Sequence, residues 1–201
     1  MLSLKKAISL VLFTYFVFPG LVTADQIVRA KIGIEIIKDG NSASRRKAGS
    51  VNNILSSKES LMVHVTPETD VFVYIVNSHK NGAELLNASP KEQLVKKTET
   101  RIFPASNQSY KPDGKNEEFI SIITSAKEQT KIKALFASGP VSYLQWKQEE
   151  EDLLKKRPVL TPSEAPETIP LGGTVRRLDK KIRTSSGMGW IVNRYQFNVK
   201  K

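Results

Sequence analysis

The chain has 201 residues, no cysteine and a formal net charge of +11. Without a thiol it has no disulfide framework, no cysteine nucleophile and no thiolate metal site, so a packed core alone must hold it together. Its length suits a short leader followed by one well-buried domain.

Residues 1–24 read as a secretory signal peptide. Lys5 and Lys6 precede an apolar run from Ala7 to Phe18, Pro19-Gly20 breaks that run, and small residues end at Ala24. A spanning helix needs roughly 20 uninterrupted apolar residues, and this run is shorter. Cleavage after Ala24 would start the mature chain at Asp25 and place it outside the cytoplasm, periplasmic or secreted. There is no lipid-attachment cysteine, and an exported protein without disulfides fits a bacterial envelope better than a small eukaryotic secreted domain. Asn87-Ala-Ser89 and Asn107-Gln-Ser109 match the N-glycosylation triplet, a pattern that chance supplies often.

The mature chain opens with a half-buried strand over 27–37. Val28, Ala30, Ile32, Ile34 and Ile36 alternate with Arg29, Lys31 and Glu35, and Asp39-Gly40 stops it. Asn41 to Ser50 is polar and loop-like. Leu61–Val65 is a second strand with Leu61, Val63 and Val65 inward, followed by a turn at Thr66–Asp70. Val71–Val76 is apolar on both faces, the mark of a central strand covered on both sides. Asn77–Gly82 turns the chain and Ala83–Leu86 returns as its hairpin partner. A short strand at Arg101–Phe103 ends at Pro104, Lys111–Lys115 is a turn, and Phe119–Thr124 is another two-faced strand.

Ser125-Ala-Lys-Glu128 has the spacing of a capping box, opening a helix to about Ala137. Ser142-Tyr-Leu-Gln145 offers a second box before a helix to about Lys156. Leu144, Leu153 and Leu154 give that helix a thin apolar face, and Glu151–Lys155 and Asp152–Lys156 pair along it. Residues 25–156 thus form the β-rich domain, with its helices near 125–156. Four prolines between Arg157 and Pro170 make a connector. Thr174 to Arg183 has helical spacing, with Val175, Leu178 and Ile182 near one face. Gly187-Met-Gly189 turns the chain, and Trp190–Val199 alternates as a final strand that rejoins the sheet. The fold class expected is α+β: a β-rich antiparallel sheet or sandwich with two packed helices.

The block from Leu61 to Glu128 resembles a bacterial domain of unknown function found in exported proteins and attached to caspase-like peptidase or kinase domains. The matching features are Val71–Val76, the Asn77–Gly82 turn with Leu85-Leu86, Ile102-Phe103-Pro104, the Gly114 turn, and Phe119–Thr124 running into Ser125. The resemblance implies a β-rich, non-catalytic accessory module and supplies no catalytic residues.

Candidate chemistry is sparse. His64 and His79 are the only histidines, one on the strand face opposite Leu61, Val63 and Val65, the other in a turn. Neither has a metal-ligand neighbour at suitable spacing, and no Gly-x-Ser-x-Gly elbow flanks a serine. Glu149–Asp152 spreads around a helix and is followed by Lys155, Lys156 and Arg157, which reads as a solvated face. Gly172-Gly173 and Gly187-Met-Gly189 lack the phosphate-loop pattern. No catalytic, cofactor-binding or metal-binding set emerges, and no cofactor is implied.

The charge is uneven. From Leu171 to Lys201 stand Arg176, Arg177, Lys180, Lys181, Arg183, Arg194, Lys200 and Lys201 against Asp179 alone. Arg176, Arg177, Lys180, Lys181 and Arg183, beside Val175, Leu178 and Ile182, are the candidate surface for an anionic polymer, a membrane or an acidic partner. Nucleic acid is scarce in that compartment. The expected function is a non-catalytic exported module that binds or scaffolds another envelope or secreted protein. Its rivals are a small hydrolase with an unrecognised site and a binder of anionic wall or membrane polymers through the basic segment.

Overall fold

The computed structural model describes residues 26–38, 41–46, 53–56, 58–104, 109–112, 117–156 and 183–200. Residues 1–25, with the expected signal peptide, lie outside them, as do the proline connector and residues 171–182.

The expected first strand is β1 (Ile27–Lys38), with Val28, Ala30, Ile32, Ile34 and Ile36 almost completely buried. The segment read as a polar loop is instead strand β2 (Asn41–Arg46), antiparallel on β1 with a register shift between Ile36 and Ile37. Main-chain bonds to an apolar neighbour hold it, and a polar sequence suits a strand there better than an apolar one would. β3 (Asn53–Ser56) follows, then β4 (Glu59–Pro67), paired with β1 over its whole length. β5 (Val71–His79) and β6 (Gly82–Leu85) form the expected hairpin, but the turn expected over Asn77–Gly82 contracts to Lys80-Asn81, because Asn77, Ser78 and His79 pair with Glu84, Ala83 and Gly82. A one-turn helix α1 (Pro90–Gln93), β7 (Leu94–Val95) and β8 (Arg101–Phe103) lead to β9 (Glu117–Ser125).

The first capping box is not used. Ser125 remains in β9, paired with Phe72 and Trp190 on its two sides. Its hydroxyl donates to the Gly189 carbonyl and accepts from the Gln129 side chain at 2.7 Å. Sheet pairing keeps Ser125 extended, so α2 (Thr130–Leu135) begins only at Thr130 and stops short of Ala137. The second box forms as expected. Ser142 Oγ accepts from the Gln145 N–H, and Gln145 Oε1 accepts from the Ser142 N–H, opening α3 (Tyr143–Lys155).

After the connector come β10 (Arg183–Met188) and β11 (Trp190–Lys200). Arg183, the last residue of the helix expected over 174–183, is therefore in a strand. The turn expected over Gly187–Gly189 contracts to Gly189, whose φ of 73° suits glycine. Gly187 stays in β10, where a Cβ would lie 2.3 Å from the Trp190 carbonyl oxygen. The chain doubles back that tightly as it passes from one sheet to the other.

Two sheets result. The first has the order β10-β1-β4-β8, with β2 sharing the edge of β1. The second has the order β3-β11-β9-β5-β6, with β7 sharing the edge of β5. Among the described residues, only the β3–β11 pair is parallel. The architecture is the expected β-rich α+β fold, a two-sheet sandwich with helices on one outer side. Between the sheets lies the main core: Ile32, Ile34 and Val63 from the first, and Val73, Ile75, Ile122, Tyr195 and Phe197 from the second. A second apolar layer lies outside the second sheet, where Tyr74, Val76, Ile123 and Val192 meet Ile132, Phe136, Trp146 and Leu153 of the helical segment. The two-faced strands are two-faced because they serve both layers.

One side chain closes a gap in the sheet edge. β7 pairs with Val71 and Phe72, and β6 with Val76 to His79, leaving the middle of β5. Asn87 fills it. Its Oδ1 accepts from the Ile75 N–H at 2.9 Å and its Nδ2 donates to the Val73 carbonyl at 2.8 Å. Asn87 is 1% exposed, so the folded protein hides the acceptor side chain of this glycosylation triplet, and its amide does the work of a backbone peptide unit.

Candidate functional site

Two polar clusters stand out, one on the outer face of each sheet. On the first sheet, β1 and β4 pair so that Gly33 lies directly opposite His64. His64 Nε2 lies 2.6 Å from Glu35 Oε2. Both side chains are mostly buried. His64 is thus on the second face of its strand, as expected, and Glu35 is the partner that the sequence did not reveal. The partner was implicit in the polar face of β1, but naming it required the register between two strands separated by a long stretch of chain.

On the second sheet, the cluster lies under α3. The helix buries Trp146, Glu150 and Leu153, whose spacing puts them on one face. Leu144 and Leu154, expected to pack, are instead exposed. Trp146 decides this orientation: its large indole is completely buried against Phe136, with ring centroids 5.7 Å apart. Glu150 follows one turn later and is carried into the interface at 2% exposure. The solvated face expected for Glu149–Asp152 is therefore wrong for Glu150. It holds for Glu151 and Asp152, which pair with Lys155 and Lys156.

The buried Glu150 carboxylate is satisfied from two strands. The Ser121 hydroxyl of β9 donates to it, and Arg194 of β11 approaches with Nη1 3.5 Å from Oε2. Ser121 and Arg194 are direct partners across the sheet. The Arg194 guanidinium also stacks on Phe119, its Cζ 4.0 Å from the ring centroid. A serine inside the apolar run Phe119–Thr124 was the only sequence signal for this cluster.

His79 ends β5, where its Nδ1 accepts from the Asn81 N–H at 3.3 Å. It does not join His64. Among the described residues, no group of three or more His, Asp or Glu side chains is placed to hold a metal ion. Arg176, Arg177, Lys180 and Lys181 lie outside the described residues, and Arg183 opens β10 at the edge of the first sheet. Among the described residues no helix is long and apolar enough to cross a membrane.

A surface ion pair ties the two sheets together at one end. Asp70, between β4 and β5, accepts from Lys96 Nζ and from the Lys97 N–H, both at 2.8 Å. These bonds hold the Asp70 carboxyl below its ordinary range, the Lys96 side chain contributing most. The adjoining Thr98 N–H donates to the Pro67 carbonyl at 2.8 Å. Two of the chain crossings between the sheets, β4 to β5 and β7 to β8, are fastened to each other here.

No family model, curated protein or solved structure matches the chain.

Proposed function

We propose that the mature chain is a non-catalytic exported module that binds or scaffolds another envelope or secreted protein. One observation carries this reading over the hydrolase alternative. The groups a hydrolase would combine are divided between opposite outer faces of the sandwich. His64 is committed to Glu35 on the first sheet, while Ser121 and Glu150 are committed to each other on the second. Packed sheets lie about 10 Å apart, and a nucleophile must be within hydrogen-bond reach of its base. Each cluster instead joins neighbouring elements: two strands in one case, a helix and two strands in the other. This pattern suits a rigid frame that presents a surface. Export rests on the charged, apolar and small-residue order of residues 1–24, and the accessory role on the resemblance of Leu61 to Glu128.

The test uses the purified mature protein and its His64→Ala variant in parallel. A scaffold gives saturable, stoichiometric capture of a defined envelope protein, confirmed with the tag on that protein instead, and the variant retains it. Turnover of ester, phosphate or glycoside substrates that is lost in a folded His64→Ala protein would overturn the reading.

A further inference from the structure

The β5–β6 hairpin brings together an open asparagine and a glycine with little room for a side chain. Asn81 stands exposed at the tip. Among the described residues its carboxamide makes no hydrogen bond, and only its backbone N–H is held, by His79. Gly82 follows, and a side chain there would be crowded. A Cβ at that position would meet the Val141 carbonyl oxygen at 3.0 Å, because Val141 pairs with Ala83 along the free side of β6. The residue after Asn81 therefore has no side chain to shield its peptide nitrogen. Six positions on, Asn87 provides the opposite case, buried with both amide atoms hydrogen-bonded.

We infer that Asn81 is a site of spontaneous deamidation in the folded protein. The Gly82 peptide nitrogen attacks Asn81 Cγ, forming a C–N bond. The Cγ–Nδ2 bond then breaks, and ammonia leaves with the proton from the Gly82 nitrogen. Water opens the resulting succinimide at either carbonyl, giving aspartate or the β-linked isoaspartate. No oxidant or enzyme is needed. The reaction requires the closing pair, His79 and Gly82, to open, and the last rung of an exposed hairpin is where opening costs least. The product places a new carboxylate beside His79 and Lys80, and its isoaspartate form lengthens the main chain at the tip by one carbon.

The experiment follows the purified mature protein in mildly alkaline buffer at body temperature, with a urea-denatured sample as the clock. Trypsin releases Asn81–Lys91 as one peptide that contains both asparagines, so fragment masses separate them. The expected result is exchange of NH₂ for OH at Asn81, faster than at Asn87 by on the order of tenfold or more, and no such change at position 81 in Asn81→Gln. A folded protein that keeps Asn81 intact while the denatured sample converts it would overturn the inference, because the hairpin would then protect the site.

Discussion

The two sheets differ in what their outer faces meet. The second sheet is apolar on both sides, with Val73 and Ile75 facing the main core and Tyr74 and Val76 facing the helical segment. The first is apolar throughout on its inner side only, and its outer face mixes Lys31, Glu35, His64 and Thr66 with Ile37, Met62 and Ile102. The lesson is that layer order is written in strand periodicity: a two-faced strand demands a third layer and an alternating strand does not. The largest expected effect follows from that contrast. Ile123→Asp would put an unpaired charge beneath the helices and should cost about 3–5 kcal/mol. Lys31→Ser, on the outer face of the first sheet, should change stability by no more than about 0.5 kcal/mol. Urea denaturation of the two variants checks the contrast, and equal losses would remove it.

That logic explains how much could be read in advance. β1, β4, β5, β9 and β11 were legible because their periodicities were clean. The α3 start was legible because the Ser142 and Gln145 side chains bond to each other and to each other's backbone, with no competing partner. Ser125 has the same local chemistry but a stronger competitor, since Phe72 and Trp190 claim its backbone for the sheet. β2 was hidden because a strand held by main-chain bonds needs no apolar alternation. Asn87 was hidden for a related reason: nothing local distinguishes an asparagine that caps a turn from one that replaces a strand. Of the candidate clusters, only His64 and, within the Glu149–Asp152 run misread as a solvated face, Glu150 were singled out beforehand. Glu35, Ser121, Glu150 and Arg194 acquire meaning only from register and from which way Trp146 turns α3.

The second prediction concerns the polar cluster under the helices, which interrupts an otherwise apolar contact. Glu150→Ala leaves the Ser121 hydroxyl and the Arg194 guanidinium without their carboxylate, and should cost about 1–3 kcal/mol. Glu151→Ala removes an exposed pair with Lys155 one residue away and should cost no more than about 0.5 kcal/mol. Thermal melts of the two variants compare a buried carboxylate with a solvated one on the same helix. A Glu150→Ala loss as small as that of Glu151→Ala would mean that α3 is held by Trp146 and Leu153 alone.

The smallest effect lies at the seam where the sheets are joined. Asp70 is exposed, and its folded carboxyl titrates below the ordinary 3.8 because Lys96 and the Lys97 N–H favour the charged form. The unfolded chain therefore takes up this proton at a higher pH than the folded chain does. The resulting stabilisation is complete above the unfolded value and disappears as pH falls through the lowered folded value. Asp70→Asn should accordingly be less stable than the parent at neutral pH, with the difference closing in strong acid, where Asp70 is protonated in both states. Because the pair is exposed, added salt should also shrink the difference at neutral pH. Denaturation midpoints across the acid range, at low and high salt, measure both trends. A gap that persists undiminished into strong acid would show that Asp70 fastens the crossings through hydrogen-bond geometry rather than charge, and the seam would then behave like Asn87 in the sheet edge.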